Sequence, residues 1–233
     1  MSAVGPYATL VAEHGLSDSH RLVLDAVPAG ARVLDAGCST GYLAAELSRR
    51  GCTVDGVEFD PAAAEQARAH CRAVVVGDLE APSTHAAVDD MLAGARPQVI
   101  LCADVLEHLR DPWAVLAWLR TLLPADGSGR VVVSVPNIAH WTARRALLRG
   151  RFDYADHGLF DRTHLRFFTR ESVRELALRA GFAVLEERPA GAPLPLESRL
   201  PVLARVRDPC VRRCPGLLAL QFVLVLAAAD QRP

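Results

Sequence analysis

The chain has 233 residues, with 26 basic against 27 acidic side chains for a formal charge of −1, and is 51% hydrophobic and 23% charged. That composition excludes a disordered chain, and it excludes a surface that holds nucleic acid or membrane by bulk charge. Every basic residue is Arg, so a Lys nucleophile, a Schiff-base Lys and a phosphate-loop Lys are excluded too.

The length suits one α/β domain with insertions. The opening MSAVGPYATLVAEHG lacks the basic-then-apolar layout of a secretion signal. The longest apolar run, residues 217–229, contains Gln221 and is too short to span a bilayer. The six Cys stand mostly singly in apolar stretches, and Cys210 with Cys214 has no zinc-type partners nearby. Reduced core thiols in a cytoplasmic protein without membrane spans are therefore expected.

Apolar runs alternate with helical patterns from residue 31 onward. ARVLDAG (31–37) reads as a buried strand, and GYLAAELSRRG (41–51) as a helix with Leu43, Ala44 and Leu47 on one face. TVDGVEFD (53–60) is the next strand, and Pro61 opens the following helix at the position proline favours. Strands follow at 73–78, 97–104 and 129–137, separated by helices near 83–94 and 111–123. Such strands, apolar throughout and alternating with helices, predict a parallel sheet covered on both faces. From Asn137 to Phe168 the periodicity weakens and Arg, His, Asp and aromatics crowd in. Thr169 then caps a helix stopped by Gly181, followed by a strand at 182–188, a Pro-rich loop at 189–201 and a last strand at 219–228.

Between the first strand and its helix lies Asp35-Ala36-Gly37-Cys38-Ser39-Thr40-Gly41. Glycines there let the backbone turn sharply and approach a ligand, and a helix N-terminus offers free N–H groups. A dinucleotide fingerprint would read GxGxxG. Here only Gly37 and Gly41 are present, and Asp35 would repel a pyrophosphate while suiting a cofactor with positive charge. Glu58 ends the second strand, where a carboxylate can accept both ribose hydroxyls, and Asp78 follows the third, within reach of an adenine amino group.

The series VLDAGCSTGYLAAEL, VDGVEFDP, VVVGDLE, VILCADVLEHLRDP and VVVSVPN resembles the class I S-adenosylmethionine-dependent methyltransferases, with Ser39 in place of that family's middle loop glycine. The resemblance implies a Rossmann-like α/β fold with a seven-stranded, mostly parallel sheet whose last strand is inserted antiparallel. It implies an N-terminal helical cap at 1–30, a cofactor-binding half at 31–137, a substrate-side insert, helix and loop at 138–217, and the last strand at 218–229. It places the methionine end of the cofactor at Asp35 and the Gly37–Gly41 backbone, including Cys38. The ribose would lie at Glu58 beside Phe59, the adenine at Asp78 and Leu79, and Ala103 near the sulfonium.

Methyl transfer needs an aligned nucleophile and, for a hydroxyl, a proton acceptor. Candidates after the fourth and fifth strands are Asp104, Glu107, His108, His140, Trp141, Asp156, His157, Asp161 and His164. If Asp104-Val105-Leu106-Glu107-His108 starts a helix, two carboxylates and an imidazole share one face, a ligand set for a hard or zinc-like cation. The segment resembles the E-x-x-E-H pattern of magnesium-dependent O-methyltransferases, with Asp104 in place of the first Glu. That likeness makes Asp104, Glu107, His108 and His164 a Mg²⁺ set. His108 and His164 are the favoured catalytic histidines; without metal, His164 or His140 is the expected base, with Glu107 and His108 making structural hydrogen bonds.

The charge is lopsided, since residues 144–213 hold 15 Arg against 9 acids. Solvated helix faces or a rim attracting an anionic acceptor would both produce it. The expected reaction is O-methylation of a small sugar or natural-product acceptor, with N-methylation or RNA 2′-O-methylation as alternatives within the class. A nicotinamide-dependent oxidoreductase or epimerase, and a non-catalytic binding protein, are the rivals from other classes.

Overall fold

The sheet is built from strands with no polar face. In the computed structural model, which describes Val11 and residues 15–192 and 202–229, β1 (Arg32–Ala36) and β4 (Val99–Ala103) are buried at every position but Arg32. Their side chains alternate between two cores: Leu34, Ile100 and Cys102 pack on one side of the sheet, Val33, Val99 and Leu101 on the other. The period of two along a strand and the apolar character of both faces together force helices onto both sides.

The strand order is β3-β2-β1-β4-β5-β7-β6. β2 (Thr53–Glu58), β3 (Ala73–Val76) and β5 (Arg130–Pro136) run parallel with β1 and β4, whereas β7 (Ala219–Ala228) lies antiparallel between β5 and β6 (Phe182–Gly191). This is the seven-stranded Rossmann-like class I methyltransferase arrangement. The order in which strands are added reverses between β1 and β4, which opens a crevice beyond their carboxyl ends.

The helices start where their caps lie. Ser17 caps α1 (Asp18–Asp25), Gly41 in the left-handed region precedes α2 (Tyr42–Arg49), and Asp60 with Pro61 starts α3 (Pro61–Ala67). α4 (Pro82–Leu92) and α5 (Pro112–Thr121) also open on proline. α6 (Trp141–Leu147) begins the insert, and α7 (Arg170–Arg179) is capped by Thr169 and followed by Gly181 at φ 83°, as the sequence implied. Gly41 has no room for a side chain: a Cβ there would lie 2.9 Å from the Ala67 Cα, so this glycine brings α2 against α3.

Three features depart from the sequence reading. β6 continues past Arg188 to Gly191, with a bulge between Val184 and Glu186. α8 (Val202–Arg213) occupies a stretch without an expected helix, because Pro209 interrupts its pattern, and the short α9 (Pro215–Leu218) follows. Cys38, Cys52, Cys71 and Cys102 are buried thiols, but Cys210 on α8 and Cys214 at the bend after it are exposed rather than in a core. The remainder of the Pro-rich loop (193–201) and the start of the N-terminal cap (1–10 and 12–14) lie outside the described residues. Among the described residues no helix is long and apolar enough to cross a membrane.

The insert is pinched at both ends. Ile138 donates its N–H to the Phe168 carbonyl, and the buried Asn137 amide donates to the Ala219 carbonyl at 2.8 Å. Partway along, the Leu165 and Arg166 N–H groups both reach the Glu107 carbonyl at 2.8 and 2.9 Å. The 157–168 stretch is thereby clamped onto the loop after β4.

Candidate active site

The loop after β1 uses its amides internally. Gly37 and Cys38 both donate to the Val57 carbonyl, Gly41 donates to the Cys38 carbonyl, and Ser39 donates to Glu58 Oε2 at 2.7 Å. Four loop amides that the sequence offered to a ligand are therefore already spent, whereas the first turn of the helix itself carries no side-chain cap. Gly37, at φ 88°, sits against Val105 so closely that a Cβ would collide with its side chain. That contact joins the β1 and β4 loops at the crevice. Cys38 turns away from it: its Sγ is the atom a Cβ at Gly56 would strike, 2.7 Å away, and a hydrogen bond with Cys71, followed by burial, pushes its thiol far up. The Cys38 side chain is a packing group.

Above this loop lies a cleft of about 440 Å³, lined by Gly37, Glu58, Phe59, Asp78, Leu79 and Ala103 among others. Glu58 Oε2 accepts from Ser39 and Oε1 from the Asp60 N–H at 2.9 Å. Each oxygen keeps a second lone pair, so the carboxylate is fixed and still able to accept ribose hydroxyls. Phe59 is 73% exposed, a ring awaiting cover. Asp78 is exposed and closes a turn by accepting the Glu80 N–H at 2.9 Å. Asp35 is buried with Oδ2 unpartnered, and burial followed by repulsion from Glu58 pushes its carboxyl up to about 7. A buried carboxyl with an orphaned oxygen fits a cationic ligand, whose charge would repay the desolvation. S-adenosylmethionine supplies that cation, and these residues fit it.

A second cavity of about 520 Å³ lies alongside, with walls from α1 and its cap, the loops after β4 and β5, the 157–164 segment and the β6–β7 pair. Asp104 lines both spaces. Its φ is 55°, a strained conformation for a residue with a side chain. Its N–H and Oδ1 explain how that strain is held: the N–H reaches Ser134 Oγ at 3.0 Å, while Oδ1 accepts from Ser134 Oγ at 2.7 Å and Gln221 Nε2 at 2.9 Å.

The expected four-residue cation set is reduced to three. Only Leu106–His108 winds, as a single 3-10 turn, so Asp104 does not share a helical face with Glu107 and His108. Instead Glu107, His108 and His164 bring their ligand atoms within 4.8 Å of one another, and the two imidazole centroids are 4.9 Å apart. Glu107 Oε2 and His164 Nδ1 are buried without hydrogen-bond partners. Burial and the nearby Asp104 raise the Glu107 carboxyl well above its usual range, while burial and His108 lower His164. These three residues could hold a cation, and two orphaned atoms fit one.

The His108 tautomer follows from its neighbours. Thr163 Oγ1 donates to Asp161 Oδ1 at 2.6 Å, so His108 Nδ1 must donate to Thr163, at 3.1 Å to Oγ1 and 3.2 Å to the carbonyl. Its Nε2 then carries the lone pair, available as a base or a ligand. Asp161, buried, thus acts at one remove through Thr163.

The other candidates fall elsewhere. His140 is a helix cap: its buried ring pairs with Thr142 Oγ1 at 2.7 Å, and it is not among the residues lining either space. Its expected role as a base is thereby corrected. Trp141 is exposed on α6, Asp156 pairs with Arg162 at 2.8 Å in solvent, and His157 lines the larger cavity. None of the six arginines from Arg144 to Arg166 lines that cavity either. Their charge faces outward, so the expected lure for an anionic acceptor is not in its walls. The sequence reading missed His20, Ser134 and Gln221, whose side chains meet around Asp104 from three distant elements.

Comparison with known proteins agrees with this geometry. A methyltransferase-domain family model matches residues 11–187. The ubiquinone biosynthesis O-methyltransferase of Neisseria meningitidis serogroup C is 37% identical over 102 residues, 42% of this chain and 42% of that protein. The one from Psychrobacter arcticus is 28% identical over 180 residues, covering 72% and 65%. Among solved structures, a possible histamine N-methyltransferase from Thermotoga maritima superposes with TM-score 0.62 at 17% identity, covering 96% and 95%. A methyltransferase from Archaeoglobus fulgidus gives 0.61 at 17%, covering 95% and 98%. Strand order, the acids at three strand ends and the family match converge: the chain belongs to the class I S-adenosylmethionine-dependent methyltransferases.

Proposed function

We propose that the protein methylates an oxygen of a small acceptor seated in the larger cavity. One observation carries this reading. The cofactor cleft and the larger cavity meet at Asp104, and the Glu107–His108–His164 cluster spans the junction, with His108 walling the cleft and Glu107 and His164 the cavity. When bound, S-adenosylmethionine supplies an electrophilic methyl group, held by Asp35, Glu58, Asp78 and Leu79. The chain's own part is to bring a hydroxyl to the junction and to take its proton. His108, with Nε2 unprotonated, is built for the second task.

The names of the ubiquinone biosynthesis relatives favour a hydroxyl on an aromatic ring over a sugar hydroxyl. The chemistry agrees, since a phenol ionises near pH 10, whereas a sugar alcohol ionises much higher, so a single imidazole suffices for proton removal. Residues 138–217 then form the acceptor side of one domain. A Mg²⁺-like cation at Glu107, His108 and His164 is part of this reading, and it would supply Lewis-acid help in ionising the hydroxyl. EDTA separates the two versions: it abolishes activity if the cation is needed and leaves it intact if His108 or His164 acts as a plain base. The reaction itself is tested by transfer of a labelled methyl group to phenols, sugars, amines, RNA and extracts of the source organism. Labelling of amines or RNA alone would displace O-methylation of a small molecule.

A further inference from the structure

Asp104 spends only one of its carboxylate oxygens on the protein. Oδ1 is taken by Ser134 and Gln221, whereas Oδ2 faces His20 Nε2 across 3.9 Å. His20 comes from α1, outside every motif of the chain. Its Nδ1 accepts the Ser17 N–H at 3.3 Å in the capping box, so Nε2 bears the hydrogen, and burial holds the ring below its usual pKa and hence neutral. The tilted Tyr42 ring lies 5.2 Å away by centroid, and its hydroxyl meets Nε2 at 3.5 Å, a long hydrogen bond that a nearer acceptor oxygen would replace. The helix is tied down by the Asp18–Arg207 ion pair at 2.7 Å.

A donor and an acceptor therefore face each other with no hydrogen bond between them, since 3.9 Å is too long for one. It is the right width for one oxygen to sit within reach of both. Only a group that accepts a hydrogen bond and also donates one satisfies the pair, and a hydroxyl does both. Both residues line the larger cavity, and Asp104 lines the cofactor cleft too.

We propose that His20 and Asp104 form a hydroxyl-binding pair: His20 Nε2–H donates to the acceptor oxygen, and that oxygen donates its hydrogen to Asp104 Oδ2. The oxygen keeps a second lone pair for the methyl group, and its O–H turns from Asp104 Oδ2 to His108 Nε2 when the proton is taken. The pair makes His20 a residue that selects hydroxyl-bearing acceptors. It also reassigns Asp104 from cation ligand to acceptor binding. The inference rests on the reading that the larger cavity receives the acceptor.

The test is ¹⁵N-edited NMR of the imidazoles in protein saturated with S-adenosylhomocysteine, titrated with phenol or with toluene, a probe of similar shape lacking the hydroxyl. Phenol, but not toluene, is expected to move the His20 Nε2 signal. Asp104→Asn and His20→Leu should each weaken phenol binding roughly five- to tenfold, the loss of one hydrogen bond. His20→Gln should restore it, because Gln at that capping position can accept from Ser17 and still present an N–H. Unchanged S-adenosylhomocysteine affinity of His20→Leu checks that the variant is folded. Equal responses to the two probes, or a phenol response at His108 and His164 with none at His20, would overturn the pair and leave O-methylation standing. A phenol response at His20 in a protein that methylates no oxygen would sink the proposed reaction and keep the pair.

Discussion

The cofactor cleft and the larger cavity share a border at Asp104 but are made from different kinds of parts. The cleft is drawn from the ends of successive strand–helix units, with Gly37, Glu58, Asp78 and Ala103 each just beyond or at the end of its own strand. The cavity has no such order: α1, the β4 loop, the insert and the β6–β7 pair each supply a few side chains. A site made from strand ends is fixed once the sheet forms. A site made from side chains of distant elements is fixed only by packing, and can change its ligand without changing the fold. Substitutions should separate the two.

The largest effect is expected at Asp35. Its folded carboxyl is raised from 3.8 to about 7, so between those values the native state holds a proton that the unfolded chain has released. Stability of the ligand-free protein therefore falls as pH rises through that window. Asp35→Asn should abolish S-adenosylhomocysteine binding by calorimetry while making the ligand-free protein more stable at pH 8, by roughly 2–4 kcal/mol in denaturant melts. Unchanged affinity would break the assignment of the cleft.

His164→Ala should lower kcat by about 10²-fold or more with cofactor affinity preserved, since His164 walls only the cavity. Full activity would remove His164 from the chemistry and leave proton removal to His108 alone. Glu58→Ala should cost about 1.5–3 kcal/mol of cofactor affinity through lost charge-assisted hydrogen bonds, with little change in kcat at saturation. At Gly41 a Val side chain would press on the Ala67 backbone rather than on ligand space. The expected outcome of Gly41→Val is a drop in thermal stability of about 1–3 kcal/mol, with weaker cofactor binding only as a consequence. The smallest effect belongs to His140→Ala, which should lose about 1 kcal/mol of stability as a broken helix cap and leave kcat unchanged. A large fall in its kcat would return His140 to the site.

Much of the cleft was legible because its geometry is local. An acid at or just past the end of a buried strand lands at the crevice whatever else the chain does, so Glu58 and Asp78 could be read one at a time, whereas Asp35 lies buried in β1 beneath the lining. The amide ledger of the loop could not, because whether Gly37 and Cys38 offer their N–H groups depends on the Val57 carbonyl in the neighbouring strand. Asp104 was misplaced for a similar reason. Sequence spacing offered a helix and a shared face, but Ser134 and Gln221, 30 and 117 residues away, hold the residue in a left-handed turn.

What the sequence determined by itself was therefore the order of strands and helices, the acids at three strand ends, and the meeting of a His-bearing insert with the loop after β4. The first two follow from periodicity, caps and the topology that parallel strands impose, and the third was implied by the resemblance to magnesium-dependent O-methyltransferases. Only the tertiary structure decided that Cys38 and His140 are packing and capping groups, that the arginines of the insert face outward, and that His20 joins Asp104. Those outcomes depend on which distant groups satisfy a buried donor or acceptor, and no spacing along the chain encodes that.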